Sequence, residues 1–146
     1  MPPLGLLDAL IDAHLASRPQ IGARAERLQQ VAGVGRVTAF TVLELVPELG
    51  RLRDAQAAAL VGVAPLNHDS GQFRGQCHIH GGRAAVRRVL YMAALAAIRH
   101  NAILRALYQR LIARGKLPKA ALTAVMRKLT ILLNRLLKNP NFCLVQ

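Results

Sequence analysis

Between residues 122 and 136 the side chains Leu122, Val125, Leu129, Leu132 and Leu136 follow one another at steps of three, four, three and four. That spacing puts them on one stripe of an α-helix, in the manner of a coiled-coil seam, and such a stripe has to be covered by another helix. Gly115-Lys116-Leu117-Pro118 is the turn that opens this helix, and Asn139-Pro140 stops it. Arg127, Lys128, Arg135 and Lys138 run along its flanks. The rest of the chain suits such a helix, because 53% of its 146 residues are hydrophobic and only 3% are aromatic. An aliphatic, alanine-rich chain of this length folds most naturally as one all-α domain.

Charge divides the chain in two. Residues 1–69 hold six arginines and all seven acids, whereas residues 70–146 hold fourteen Lys and Arg and no Asp or Glu. A half-chain without a carboxylate cannot neutralise itself, so its charge is either solvated or met by an anionic partner, of which nucleic acid is the first candidate. An acidic membrane is the competitor, but the longest apolar run, residues 89–98, is far short of the ~20 residues a span requires. Met1-Pro2-Pro3 lacks the basic region of a secretory leader, and Cys77 and Cys143 read as ordinary intracellular thiols. The expected location is cytoplasmic, on the nucleoid, without membrane attachment.

Leu4, Leu7, Ile11 and Leu15 mark an amphipathic helix opposite Asp8 and Asp12. Beyond Pro19 a second helical piece, residues 21–31, sets Ala25 and Leu28 inward and Arg24 and Arg27 outward. Gly33-Val34-Gly35-Arg36-Val37-Thr38 then reads as a helix-hairpin-helix turn. Free backbone N–H groups of Gly33, Gly35, Arg36 and Thr38 would grip one phosphate there without reading bases. A plain turn between core helices is the other reading; a nucleotide loop is disfavoured, since no third glycine stands at position 38. Asp54 is the expected N-cap of a short helix over 55–61. Residues 66–80 show little helical period and predict a loop and a small β-hairpin. Helices resume after Gly82, with Leu90, Ala94 and Ala97 inward, and again over 102–113, with Leu104, Leu107, Tyr108 and Leu111 inward.

Ser70 sits in a glycine-punctuated loop, followed by Arg74 and then by Arg83, Arg87 and Arg88 at the start of a helix. A serine hydroxyl is a weak nucleophile unless a base or strong charge stabilisation assists it, and these arginines would supply the second at a phosphodiester. The competing reading is a serine that hydrogen-bonds its own turn. His68-Asp69-Ser70 cannot form a triad, because three consecutive side chains do not converge. Cys77, His78, His80 and His68 make a poor zinc set without a CxxC, and no metal site is expected in this chain.

In order along the chain, Gly33-Val34-Gly35-Arg36-Val37-Thr38-Ala39, Leu60-Val61-Gly62-Val63-Ala64-Pro65, Ser70-Gly71, Ile79-His80-Gly81-Gly82, Arg87-Arg88-Val89-Leu90, Tyr108 and Gly115-Lys116 resemble one family. It is the C-terminal domain of insertion-sequence family 110 transposases (also 116/902 type), the serine-dependent recombinases guided by a bridge RNA. The resemblance covers about residues 28–138. It implies that Ser70 attacks a DNA phosphodiester and that the covalent phosphoserine link conserves the bond energy for rejoining. It also implies an N-terminal RuvC-like domain with four acidic residues that bind magnesium. The acids here, Asp8, Asp12, Glu26, Glu44, Glu48, Asp54 and Asp69, are not spaced as such a quartet. Ala32 and Gly82 stand where the family commonly has proline and asparagine.

The sequence therefore predicts a helical bundle with a helix-hairpin-helix element and a small β-hairpin insertion. Its expected divisions are an arm at 1–27, a transposase domain at 28–138 and a tail at 139–146. The expectation is a truncated or solo transposase domain that binds DNA through Gly33, Gly35, Arg36, Thr38, Arg74, Arg83, Arg87 and Arg88 and carries Ser70 as nucleophile. Magnesium would reach it only through a missing or partner acidic domain. A structured guide RNA is a further partner, and the C-terminal helix would pair with a second copy or with a full-length transposase. The alternatives are a non-catalytic nucleic-acid-binding remnant and an interaction module.

Overall fold

The helix that carries the leucine seam, Pro118–Lys138, packs against four other helices at once. In this computed structural model residues 4–62 and 81–142 are described. They form α1 (Leu4–Ser17), α2 (Pro19–Leu28), α3 (Arg36–Leu45), α4 (Asp54–Leu60), α5 (Gly81–His100), α6 (Ala102–Ala113) and α7 (Pro118–Lys138). The described residues are all-helical, with no strand among them. The β-hairpin expected within 66–80 lies outside the described residues.

α7 touches α5 and α6, and also α4 and α2, so one apolar stripe is not enough to cover it. Beside Leu122, Val125, Leu129 and Leu136 it buries Ala121, Met126, Ile131 and Leu133, together with Thr130 and Asn134. The seam is thus occupied inside the chain. A helix apolar on most sides is a core helix, and each fully buried leucine contributes about 1.5–3 kcal/mol. Thr130 satisfies its hydroxyl by donating to the Met126 carbonyl at 2.8 Å.

Asn134 is fully buried and ties the α3–α4 loop to α7. Its Oδ1 accepts from the Gly50 N–H at 2.7 Å, and its Nδ2 donates to the Leu52 carbonyl at 2.7 Å. Lys138 Nζ donates to the same Leu52 carbonyl at 3.2 Å. Arg53, not Asp54, is the N-cap of α4. Asp54 is the first residue of that helix, where a negative charge meets the positive end of the helix dipole, and its carboxylate pairs with Arg135 of α7.

The arginines expected to face outward from α2 turn back instead. Arg27 Nε donates to the Leu136 carbonyl at 2.7 Å, and its Nη2 lies 3.0, 3.0 and 3.2 Å from the carbonyls of Asn139, Pro140 and Phe142. It caps the C-terminal end of α7, where orphan carbonyls and the dipole both favour a cation. Arg24 Nη2 donates to the Leu49 carbonyl, and burial, with Arg51 nearby, lowers the pKa of its guanidinium.

α6 starts on Asn101, whose Oδ1 accepts from the N–H groups of Ile103 and Leu104 at 3.1 and 3.3 Å. Gly115 ends it with φ +88°, while Gly115 N–H and Lys116 N–H return to the carbonyls of Ile112 and Leu111 at 3.0 and 3.1 Å. This pair of bonds is a Schellman cap, and it needs a residue without a Cβ. α6 buries Leu104 alone; Leu107, Tyr108 and Leu111 are half-buried, because the helix lies on the edge of α5 and α7.

Candidate nucleic-acid interface

The candidate surface begins at the first turns of α5. Ala84, Arg87, Arg88, Tyr91 and Met92 of that helix, with Met126 of α7, line a cavity of about 520 Å³. Arg87 and Arg88 make no hydrogen bond or ion pair among the described residues. Spacing explains their convergence with Tyr91 and Met92, since residues three and four apart are neighbours on a helix surface. Ser70 and Arg74 lie outside the described residues, as do His68, Cys77, His78 and His80. Arg83 falls within α5, but its side chain is not described.

The α2–α3 turn is the second part. α3 begins at Arg36 with Gly35 as its N-cap, in extended geometry at φ −91° and ψ −178°. Ala39 N–H is the first to reach back into the turn, to the Gly35 carbonyl at 3.0 Å, which leaves the N–H groups of residues 36–38, at the helix start, without a partner among the described residues. Gly35 is exposed and Thr38 half-buried. The Arg36 guanidinium pairs with Asp12 of α1, so its charge is already opposed. Gly33 has φ +103° and packs on Ala97 of α5.

These two parts do not meet at one point. Arg87 and Ala97 are ten residues apart on one helix, roughly 15 Å along its axis, or about four base steps of a duplex. The arrangement can touch two phosphates in series; it does not focus both groups on one.

Other cations are distributed differently from the expectation. Arg135 and Lys138 hold the α3–α4 loop and Asp54, and the Arg135 hydrogen bond lowers the Asp54 pKa as Asp54 raises that of Arg135. Lys128 is exposed, and with Arg110 it lines a second cavity of about 560 Å³ beside Ile103 and Leu107. Arg110, Arg114, Lys116 and Lys119 are also exposed, with no side-chain partner among the described residues. The missing acids in 70–146 were the available sign that cations of this hairpin would stay unopposed.

The described acids do not converge either. Asp12 is on Arg36, Glu44 Oε1 lies 3.0 Å from His14 Nε2 and 3.5 Å from Arg18, and Asp54 is on Arg135. His14 also stands edge-on to Phe40, with ring centroids 5.2 Å apart. Among the described residues no three His, Cys, Asp or Glu side chains gather as a metal site. The described acids do not together make a magnesium centre.

Residues 25–109, more than half of the chain, match the family described as Transposase IS116/IS110/IS902 family. The chain belongs to that transposase family. The match runs from α2 into α6, and so takes in the α2–α3 turn, the Ser70 segment and the arginines of α5. Among curated proteins, the chain is 28% identical over 142 residues to the insertion element IS110 uncharacterized 43.6 kDa protein of Streptomyces coelicolor. That alignment takes in 93% of this chain and 32% of the relative, so the chain spans about a third of the relative's length. No solved structure matches. Among the described residues of this transposase-family chain, no helix is long and apolar enough to cross a membrane.

Proposed function

We propose that this chain is the DNA-holding, serine-bearing part of an IS110-type transposase. The observation that carries the reading is the pair Arg87 and Arg88. They are unopposed among the described residues and stand one short segment beyond Ser70, in a half-chain without a carboxylate. Two guanidinium groups at that place would draw the non-bridging oxygens of a phosphodiester and stabilise the charge that develops when Ser70 attacks. The Ser70 Oγ–P bond forms as one bridging P–O bond breaks, and the hydroxyl proton passes through solvent to the released sugar oxygen. The reverse step rejoins the strand.

In the same reading the α2–α3 turn is a helix-hairpin-helix that holds a second phosphate through the N–H groups of residues 36–38. DNA on the nucleoid is the partner, with a structured guide RNA as a second nucleic-acid ligand. Pairing with a second copy, or with another transposase, through α7 would use the surface that its buried seam leaves exposed.

The test supplies recombination-site DNA and an intact family transposase, then looks for a denaturant-resistant adduct on this chain. Its formation, and its loss in Ser70→Ala, supports the reading; no adduct with the unaltered serine removes the enzymatic part. A non-catalytic nucleic-acid-binding role is the second reading, favoured by one observation: Asp12, Glu44 and Asp54 are committed to basic partners in their own chain.

A further inference from the structure

The cavity at the start of α5 holds more than phosphate ligands. Of the described aromatic side chains only Tyr91 is exposed, at 41%, and Met92 beside it is exposed at 62%. The chain has no tryptophan and two tyrosines, so a surface aromatic is not what its composition supplies by default. Met126 of α7, 6% exposed, and Ala84 complete an apolar lining between Tyr91 and the two arginines. A volume of about 520 Å³ is within the range of small-molecule pockets, roughly 300–1,000 Å³.

A stacked duplex offers such a cavity its phosphates and its base edges but no base face, because its bases cover one another. An unstacked base offers a π-face to a tyrosine ring and polarisable contact to methionine, with its own phosphate within reach of arginines on the same helix side. We propose that this cavity receives one unstacked nucleobase on Tyr91, with Arg87 and Arg88 on the adjoining phosphate. The preferred ligand is then a single-stranded or locally opened nucleic acid. The proposal rests on the reading of this face as a nucleic-acid surface and adds the state of the strand that it takes.

Tyr108→Phe leaves Tyr91 as the one tyrosine in a chain without tryptophan, so its fluorescence reports on this cavity alone. The probes are a twelve-residue oligothymidylate, a duplex of the same length and inorganic polyphosphate, at low salt. Quenching of Tyr91 by the oligothymidylate, and by neither of the others at equal phosphate concentration, is the expected result. Tyr91→Leu is expected to weaken oligothymidylate binding about tenfold while duplex binding changes less than twofold, and Tyr91→Phe to retain both. Unquenched Tyr91, quenching by polyphosphate to the same depth, or equal loss of both ligands in Tyr91→Leu would overturn the proposal. Binding of both the oligothymidylate and the duplex without any Tyr91 effect would leave the nucleic-acid surface standing and remove the base pocket. Absence of binding by either nucleic acid would remove both. Should Tyr91→Leu fail to fold by circular dichroism, the quenching comparison in the Tyr108→Phe chain decides alone.

Discussion

A Cβ placed on Gly33 would lie 2.8 Å from both the Cα and the Cβ of Ala97. The α2–α3 turn is therefore seated directly on α5, and Gly33 is needed twice, for this approach and for its φ of +103°. Gly33→Ala is expected to destabilise the chain by roughly 2–4 kcal/mol, from left-handed backbone strain plus overpacking against helix backbone. A thermal or urea melt reads it.

Gly35 makes the contrasting case. Nothing lies within 4 Å of a Cβ there, and its φ of −91° is open to any residue. Gly35→Val should melt within about 0.5 kcal/mol of the parent, yet weaken duplex binding if the backbone N–H groups of residues 36–38 touch a phosphate. Binding by the parent should itself fall steeply between low and moderate salt, because bound phosphates release counterions. Unchanged affinity in the variant would leave the turn a structural one.

Asn134 is the buried polar group on which the α3–α4 loop depends. Asn134→Ala strands the Gly50 N–H, leaves the Leu52 carbonyl with Lys138 as its one donor, and opens a cavity, for a loss of about 2–4 kcal/mol in a denaturant melt. Leu129→Ala should cost a similar 2–5 kcal/mol without changing the sedimentation behaviour of the folded fraction, since that seam residue is buried within its own chain.

Asp54 carries a small pH signature. Its hydrogen bond to Arg135 depresses its folded pKa, so the stabilisation is present above the unfolded value near ~3.9 and disappears as pH falls through the folded one. Both side chains are well exposed, which limits the effect to a fraction of ~1 kcal/mol. Melts of Asp54→Asn and the parent should differ slightly at neutral pH and converge below about pH 3.

Ser70→Ala is expected to abolish the covalent DNA adduct while keeping DNA affinity. Arg87→Ala should slow adduct formation by roughly 10²-fold, the scale of losing one donor to a developing oxyanion. Quantifying the adduct on denaturing gels at saturating DNA separates slowed chemistry from weakened binding.

Much of the bundle was legible because helical period speaks for burial: Ala25, Leu28, Leu90, Ala94, Ala97 and Leu104 are all in the core. What periodicity could not show was how far a polar side chain reaches. Arg24 and Arg27 stand at positions that the pattern marks as outward, yet a guanidinium on a long stem finds carbonyls on another element. Asp54 is not the N-cap that a local reading makes it, and the Arg36 guanidinium is already paired, for a related reason. Their partners, Asp12 and Arg135, come from 24 and 81 positions away. At the site, the start of α5 was readable from its arginines, whereas Tyr91 and Met92 were submerged in an apolar run and stand out only once their exposure is known.

The grip of Arg27 on the end of α7 also has a kinetic meaning. Its acceptors lie 109 to 115 positions away, so it closes a loop through most of the chain. The α5–α6–α7 hairpins can assemble from neighbours in sequence, whereas this clasp has no acceptors until α7 has formed and its end has turned. Docking of α2 on α7 is accordingly expected late in folding, after the α5–α6–α7 hairpins that carry the leucine seam.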